Sequence, residues 1–358
     1  MKPKVLHIDS GKTWRGGQQQ ALYLYEAMHK QGFTTNICVT KGSAFAEKLA
    51  QKNLPYSELP LASELDLLSA RKVAKIAKQN GYDIIHCHCS HSVSIAAMAS
   101  VLVPKLKIIA TRRVDFPVKL NFFNRRKYLN KNVAKIVCIS DAIKQVLLDS
   151  GFPESKLVTI HSGIELDKFS GCEGMANRKR FEGKVLVGTV AAFTGDKNYP
   201  LLLEAASLIK NQDVAFIALG DGELFPRMQR KAESLGLVNF YFEGFRSDVG
   251  EYLKAFDIFV LSSKKEGLGT SVLDAMACGL PIVATHSGGI PEAVADGENG
   301  FLVPADNPHL LAERINQLVE DENLRRIFGR RSRELVQKFD IKHTVQKNIS
   351  LYYEIMSQ

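Results

Sequence analysis

The chain has 358 residues, of which 45% are hydrophobic and 24% are charged. This length exceeds what one hydrophobic core usually supports, and the composition is that of a globular protein, so we expect two folded domains. No apolar run is long enough to predict a membrane span, and the N-terminal segment MKPKVLHID is too short in apolar residues for a signal peptide. We therefore expect a cytoplasmic protein. The six cysteines fall mostly within apolar strand or helix patterns, so we expect free thiols.

The net charge of +9 is concentrated in the first half of the chain. Residues 1–165 hold 24 Lys and Arg against 12 Asp and Glu, whereas residues 166–358 hold 23 against 26. Within the first half, the segment 105–135 carries ten basic residues and one acid, with phenylalanines interleaved. This mixture favours an anionic membrane surface or an anionic acceptor. Nucleic acid is the less favoured partner, and a solvated basic face is the third interpretation.

Short apolar runs alternate with helical patterns along the chain, which is typical of βαβ units in a parallel sheet. The first set opens with a strand over Lys4 to Asp9 and includes a helix over Phe122 to Asn132; the second opens with a strand over Val185 to Ala191. We predict an α/β protein with two Rossmann-like domains that face each other across a ligand-binding cleft. The predicted boundaries are 1–165 for the first domain, 166–341 for the second, and 342–358 for a C-terminal helix that joins the first.

The stretch 262–304 combines two acids with a glycine loop and a predicted helix start. Glu266 precedes the loop, and Asp274 lies eight positions later, inside the helix. The intervening loop and first helical turn consist of Gly267, Leu268, Gly269, Thr270 and Ser271. A helix N-terminus favours a phosphate, and flanking acids can accept hydrogen bonds from sugar hydroxyls. The alternative is structural, since Ser271 and Asp274 have the spacing of a capping box and Glu266 could be a solvated loop acid.

Three further motifs follow predicted strands. The loop that contains Gly16 and Gly17 has the glycines and adjacent helix start of an anion or sugar contact, although a plain turn is the alternative. Lys197 lies between a strand and a helix, where it can neutralise charge on a leaving phosphate. Arg246 is a further cation after a predicted strand, and a solvated arginine is the alternative.

The run His86-Cys87-His88-Cys89 looks like a metal cluster, but strand alternation places the two histidines on one face and the cysteines on the other. Tetrahedral zinc needs convergent side chains, so we predict buried strand residues, or a His88 that faces the cleft, and no metal.

Taken together, the motifs resemble glycosyltransferase family 4. The resemblance spans nearly the whole chain and is strongest over Gly244 to Pro304, where GFRSDV, EGLGTSVLDAMACGLPIVAT, GGIPE and DGENGFLVP stand in the family's order and spacing. It extends to Arg15-Gly-Gly-Gln18, to Asp83-Ile-Ile-His-Cys-His88, and to Ile139-Ser-Asp with His161-Ser-Gly-Ile164. This collinear set is much more specific than any single motif. The family has the two-domain GT-B fold and transfers sugars from nucleotide-diphosphate donors with retention of configuration.

The resemblance implies a role for each motif. Glu266 would contact the donor sugar, and the segment Gly267 to Ser271 would hold the sugar and diphosphate through backbone groups. Asp274 would hold the ribose, Lys197 would face the diphosphate and Phe245 would lie near the base. The pair Gly16 and Gly17 would close on the phosphates from the other domain. No metal or other cofactor is implied, and a UDP-sugar is the favoured donor.

Three departures from the family pattern stand out. The second acid of the usual Glu-x7-Glu pair is the shorter Asp274. The arginine that often precedes the lysine is replaced by Ala192, for which Arg246 or Arg15 could compensate. Arg112 and Arg113 stand where many members have a sugar-contacting histidine, which points to an anionic acceptor.

The leading hypothesis is a retaining glycosyltransferase that is peripherally associated with the inner face of the cytoplasmic membrane. It would transfer a sugar to a hydroxyl of a lipid-linked or lipopolysaccharide-type glycan during cell-envelope synthesis. A nucleotide-sugar epimerase or hydrolase of the same fold, and a non-catalytic sugar or lipid binding protein, remain as alternatives. The sequence does not specify the sugar, the acceptor or the oligomeric state.

Overall fold

A computed structural model describes residues 2–357 of the chain. These residues form two compact units, each built on its own sheet. The first unit contains residues 2–163 and 341–357, and the second contains Ile164–Asp340.

The first unit is a seven-stranded parallel sheet with the strand order β3-β2-β1-β4-β5-β6-β7. Its elements are β1 (Val5–Asp9), α1 (Gly16–Lys30), β2 (Thr35–Thr40), α2 (Ala44–Gln51), β3 (Ser57–Leu59), α3 (Leu67–Asn80), β4 (Ile84–Cys87), α4 (Ser90–Leu102), β5 (Lys107–Arg112), α5 (Phe122–Tyr128), β6 (Val133–Cys138), α6 (Asp141–Asp149) and β7 (Leu157–Thr159). Its central strands β1 and β4 are buried along their whole length, as expected for a parallel sheet covered by helices.

The second unit is a six-stranded parallel sheet with the order β10-β9-β8-β11-β12-β13. Its elements are α7 (Met175–Arg180), β8 (Val185–Val190), α8 (Tyr199–Leu208), β9 (Val214–Leu219), α9 (Phe225–Ser234), β10 (Phe240–Gly244), α10 (Val249–Ala255), β11 (Ile258–Leu261), α11 (Thr270–Ala277), β12 (Ile282–Thr285), α12 (Ile290–Ala293), β13 (Gly300–Val303), α13 (Pro308–Glu320) and α14 (Glu322–Leu335). Both units are thus Rossmann-like, which confirms the α/β fold class predicted from the alternating pattern.

The last helix, α15 (Ile341–Ser357), packs on the first unit rather than on the second. Its buried residues Ile349 and Tyr352 belong to the same core cluster as Val5 of β1 and Ile84 of β4. The Tyr352 hydroxyl also hydrogen-bonds Nδ1 of His86 at 2.6 Å. The C-terminal helix therefore completes the core of the first unit.

The pattern of apolar residues missed three short or strongly charged elements, β3, α7 and α14. It also extended the helix that begins at Phe122 to Asn132, whereas α5 ends at Tyr128. The reason is local: the Asn130 side chain accepts hydrogen bonds from the backbone N–H groups of Asn132 and Val133, at 2.9 and 3.2 Å. These bonds close a turn that leads directly into β6.

None of the described helices is long and apolar enough to cross a lipid bilayer. All six cysteines are free, as expected from their positions.

We expect Ile355→Ala to lower the free energy of unfolding by about 2–4 kcal/mol, because it opens a cavity where α15 meets the core. The neighbouring Met356 is 44% exposed, so Met356→Ala should change stability by less than about 1 kcal/mol. Urea unfolding followed by circular dichroism measures both. Equal effects would contradict the docking of α15.

Candidate functional site

Lys197 and Glu266 form an ion pair in the second unit, where the loops after β8 and β11 meet. The Lys197 ammonium contacts Oε2 of Glu266, and the two side chains are 23% and 13% exposed. Ser263 donates a further hydrogen bond to the same carboxylate oxygen, at 3.2 Å. The two residues predicted from separate motifs are therefore direct partners.

The turn that carries Lys197 is bound to the loop that carries Glu266 through main-chain groups. Backbone N–H of Lys264 donates to the carbonyl of Asp196 at 2.7 Å, and the Ser262 hydroxyl donates to the carbonyl of Lys197 at 3.0 Å. The next residue, Asn198, has a φ of 50° and is the N-cap of α8. These contacts fix the backbone of Lys197, so its ammonium needs little rearrangement to meet a phosphate.

Gly288, in the GGIPE motif, sets the position of Glu266 from the other side. A Cβ at Gly288 would lie 1.7 Å from the carbonyl oxygen of Glu266, and its φ is 51°. Backbone N–H of Gly289 donates to that carbonyl at 3.2 Å. Only glycine permits this approach, so the motif serves the placement of Glu266.

The helix after the glycine loop begins earlier than the sequence pattern predicted. Its N-cap is Gly269, which has a left-handed φ of 79°, and no side chain caps the helix. Ser271 therefore lies inside α11, and the predicted capping box between Ser271 and Asp274 is wrong. The positive-φ glycine turns the chain into the helix at Thr270. The N–H groups of Val272 and Leu273 donate to the carbonyl of Gly269, at 2.9 and 3.2 Å, whereas those of Thr270 and Ser271 have no acceptor among residues 2–357. A helix start with unpaired N–H groups suits an anion.

Asp274 lies within α11 with one carboxylate oxygen paired and one unpaired. Oδ2 is 3.4 Å from Nζ of Lys168, and Oδ1 is buried without a hydrogen-bond partner among residues 2–357. Burial raises the pKa of Asp274, and the nearby Lys168 opposes that rise. An acceptor with no partner is what a ligand hydroxyl would satisfy.

The other predicted residues of the loop and of the base-binding region are placed differently. Leu268 is 1% exposed, so only its backbone can reach a ligand, and Gly267 is half-buried. Phe245 follows β10 and is 73% exposed. Arg246 forms a two-point ion pair with Asp248, with bonds of 3.0 and 2.9 Å, and its role in place of the arginine absent at Ala192 stays a prediction.

In the first unit, Gly16 and Gly17 form the first turn of α1, after an N-cap at Arg15 that makes no side-chain capping bond. A Cβ at Gly17 would lie 3.2 Å from Cδ of Arg113. Glycine therefore makes room for that arginine. The phosphate contact of Gly16 and Gly17 stays a prediction.

Three histidines of the first unit, His7, His86 and His88, form a buried cluster, and the cysteines of the His-Cys-His-Cys run are not part of it. Strand pairing places His7 beside His86, and Nδ1 of His7 is 2.9 Å from Nε2 of His88. Burial lowers the pKa of His7 to about 3 and those of the other two well below the usual value. Both ring nitrogens of His86 are already hydrogen-bonded, to Tyr352 and Thr111, so the cluster is a network of neutral imidazoles.

Lys168 and Gly288 were not recognised from the sequence as site residues. Lys168 is 106 positions from its partner Asp274, and no motif marks it. Gly288 stands in the recognised GGIPE run, but its close approach to Glu266 depends on the fold.

The raised pKa of Asp274 predicts how its substitution changes stability with pH. The folded chain binds this proton more tightly than the unfolded chain, so the associated stability is present below the ordinary pKa and is lost as pH rises through the folded pKa. The stability of Asp274→Asn relative to wild type should therefore increase from acid to neutral pH.

Asp248 is the matched control for this titration, because its pairing with Arg246 lowers its pKa. Asp248→Asn should lose stability relative to wild type over the same pH increase. Urea unfolding at several pH values measures both variants, and the same trend in both would contradict the assignment.

Comparison with known proteins covers both units. The profile described as "Glycosyltransferase Family 4" matches residues 14–168, and the profile described as "Glycosyl transferases group 1" matches residues 174–335.

Relatives and solved structures agree with these profiles. The lipopolysaccharide core biosynthesis glycosyltransferase LpsE of Rhizobium meliloti is 27% identical over 94% of this chain and 95% of its own. The UDP-Gal:alpha-D-GlcNAc-diphosphoundecaprenol alpha-1,3-galactosyltransferase of Escherichia coli is 23% identical over 99% and 98% of the two chains. The crystal structure of Anabaena Alr3699/HepE in complex with UDP-glucose has a TM-score of 0.85 and 22% identity, over 98% of this chain and 99% of that chain. Two family profiles in tandem, full-length relatives and a shared two-domain fold lead to one conclusion: the chain belongs to the family 4, group 1 glycosyltransferases, which have the GT-B fold.

Proposed function

We propose that this glycosyltransferase moves a sugar, with retention of configuration, from a UDP-sugar to a hydroxyl of a lipid-linked or lipopolysaccharide-type glycan. One observation carries the donor half of the proposal. A single unit holds the Lys197–Glu266 pair, an uncapped helix start at Thr270 and a carboxylate, Asp274, with an unpaired oxygen.

Each of these groups matches one part of a nucleotide-diphosphate sugar. The first-turn N–H groups of α11 and the Lys197 ammonium bind the diphosphate, as positive groups that need no metal. The unpaired oxygen of Asp274 accepts a hydrogen bond from a ribose hydroxyl. Glu266 accepts hydrogen bonds from the sugar, and the exposed ring of Phe245 packs beside the base.

The proposed reaction breaks the bond between the sugar's anomeric carbon and the diphosphate oxygen, and the electron pair leaves with UDP. Lys197 and the helix start stabilise the negative charge that develops on that oxygen. The acceptor hydroxyl attacks the anomeric carbon from the face that the diphosphate leaves, and its proton passes to a phosphate oxygen of the donor. The role of this chain is therefore to hold and neutralise the leaving group rather than to supply a dedicated base.

Lys197→Ala should lower the rate of sugar transfer by about two orders of magnitude, because it removes a preorganised cation beside the leaving group. Lys264→Ala, on the adjoining loop, changes an exposed lysine whose side chain has no recorded bond among the described residues and should leave the rate within about twofold. For both variants, the rate is measured by chromatography of the released UDP and of the glycosylated product. Equal rates in wild type and Lys197→Ala would refute the role of Lys197.

The acceptor half of the proposal starts from the printed functions of the two relatives, one in lipopolysaccharide core synthesis and one acting on a diphosphoundecaprenol acceptor. In this chain, the first unit has a groove of about 790 Å³ between α4 and α5. Its lining includes the exposed apolar side chains Leu65, Val101, Phe122 and Phe123. An exposed apolar groove of this size suits a lipid chain.

Basic residues lie at the same groove. Arg126 stacks over the ring of Phe122 at 5.4 Å, and Lys131 is a further lining residue. Lys127 is 7% exposed and is neutralised by Glu64, with Nζ 2.7 Å from Oε1. Exposed aromatic rings beside free cations match the interface of an anionic membrane, where the rings enter the acyl region and the cations meet headgroups.

Phe122→Ser combined with Phe123→Ser should weaken binding to vesicles that contain phosphatidylglycerol by about tenfold or more, because two exposed rings no longer enter the bilayer. Val238→Ser removes a 91% exposed apolar side chain from the second unit and should have little effect. Vesicle cosedimentation at rising salt measures this, and binding should also fall with salt. If the wild-type protein does not bind these vesicles, the membrane part of the proposal is excluded.

A further inference from the structure

A small cavity in the first unit gathers several buried polar atoms that lack partners. The cavity holds about 20 Å³, and its polar lining residues are Gln20, His86, His88, Thr111, Arg113, Ser162, Thr344 and Asn348. Four of these residues have a buried side-chain atom without a hydrogen-bond partner among residues 2–357: Nδ1 of His88, Nε of Arg113, Oγ of Ser162 and Oδ1 of Asn348. Native proteins leave few such atoms unpaired, so four at one cavity point to a bound ligand or water there.

The unpaired atoms are not the result of loose packing, because the other polar groups of the lining are paired. The Gln20 side chain donates to the carbonyl of Gly163 at 2.6 Å and accepts from its N–H at 3.1 Å. The Thr111 hydroxyl is 2.7 Å from Nε2 of His86. The fold therefore supplies hydrogen-bond partners for the other polar groups that line the cavity. Only the four unpaired atoms remain available to a ligand.

Among the described residues, Arg113 is the one charged side chain in the lining of the cavity, and the neighbouring imidazoles are neutral. The buried Asp9 does not line the cavity but lies close enough for its charge to act on Arg113. Burial lowers the pKa of Arg113 to about 10, and Asp9 opposes that change, so the guanidinium stays protonated at neutral pH. A fixed cation next to neutral imidazoles disfavours a metal ion and favours an anion.

The histidine pair determines what His88 presents to the cavity. Nδ1 of His7 and Nε2 of His88 share one hydrogen bond, and the two remaining nitrogens, Nε2 of His7 and Nδ1 of His88, are both unpaired. Either tautomer leaves one buried N–H without an acceptor, on Nε2 of His7 or on Nδ1 of His88. Of the two residues only His88 lines the cavity. A ligand that accepts from Nδ1 of His88 therefore selects the tautomer in which His7 donates to Nε2 of His88.

The cavity thus offers a cation and an N–H donor, together with a hydroxyl and one amide oxygen that accepts. A bare inorganic anion would leave Oδ1 of Asn348 without a donor. A carboxylate next to a hydroxyl can satisfy all four groups, because the carboxylate accepts from Arg113, His88 and the Ser162 hydroxyl, and the neighbouring hydroxyl donates to Asn348. The volume of about 20 Å³ is that of one or two water molecules, so only the carboxylate would enter the cavity, and the sugar ring with its hydroxyl would lie outside it, beside Asn348.

We propose that this cavity binds the carboxylate of a sugar acid, carried by either the acceptor glycan or the donor sugar. The inference rests on the proposed function and specifies the class of substrate. Arg113 and His88 are the specificity-determining residues, and Gly17 is a positioning residue, since a side chain there would press on Arg113.

The experiment compares acids with their neutral methyl esters on the full-length protein. One arm uses the methyl glycosides of glucuronate, galacturonate and N-acetylneuraminate, which imitate an acceptor. The other arm uses UDP-glucuronate against UDP-glucose, which imitate a donor. Isothermal titration calorimetry gives the dissociation constants, and in at least one arm the acid should bind about tenfold or more tightly than its neutral counterpart.

Two arginine variants separate the cavity from general basicity. Arg113→Gln should abolish the preference for the acid, whereas Arg112→Gln removes an equal charge from a side chain that instead donates to the carbonyl of Phe116 and should keep it. Arg113→Lys retains the charge but loses the planar guanidinium that can bind both oxygens of a carboxylate. It should therefore keep only part of the preference for the acid.

The outcomes are decisive in both directions. A preference for the acid that Arg113→Gln removes and Arg112→Gln retains supports the proposal and names the arm that supplies the ligand. No preference in either arm, or equal loss in both variants, overturns it and leaves a cavity that holds water only. Affinity for UDP, which depends on the second unit, reports separately on the proposed function and on folding, so an intact UDP response with no preference for acids refutes the cavity proposal alone.

Discussion

The docking of the turn 195–198 against the loop 262–266 is the constraint on which the rest of the donor-binding unit depends. Main-chain bonds from Ser262 and Lys264 fix that turn, and Gly288 fixes the opposite side of Glu266. Lys197 and Glu266 therefore meet as a partly buried pair before any ligand binds. A phosphate that takes over the ammonium replaces one charged partner with another, so its binding does not leave Lys197 as an isolated buried cation.

The sequence was sufficient for the parts of this site that depend on local pattern. Alternating apolar runs predicted both sheets, and the glycines after Glu266 predicted a loop that enters a helix. The error at Ser271 arose because a capping-box pattern and a left-handed glycine cap compete at the same place, and the pattern does not show which backbone conformation Gly269 adopts. The contact between Lys168 and Asp274 joins distant positions, so no spacing rule could predict it.

The histidine cluster shows the same division between local and long-range information. Strand alternation placed His86 and His88 on one face, but His7 joins them only through the register of β1 against β4. Tyr352 reaches His86 from the C-terminal helix, 266 positions away. A run that resembles a metal motif is therefore part of a neutral network that ties α15 to the central strands, and its cysteines have separate partners: Cys87 bonds the carbonyl of Ser92.

The two units leave different groups unpaired, and this difference bears on how substrate is recognised. In the second unit the unpaired groups are backbone N–H groups at the start of α11 and one oxygen of Asp274, which suit the parts that all nucleotide-diphosphate sugars share. In the first unit they are side-chain atoms around Arg113. Keeping four polar side-chain atoms unpaired costs stability, since each buried orphan loses its bonds to water. A fold that holds them in place without internal partners is preorganised for a ligand that restores those bonds, and the requirement for both an acceptor and a donor on that ligand is what distinguishes a sugar acid from a simple anion.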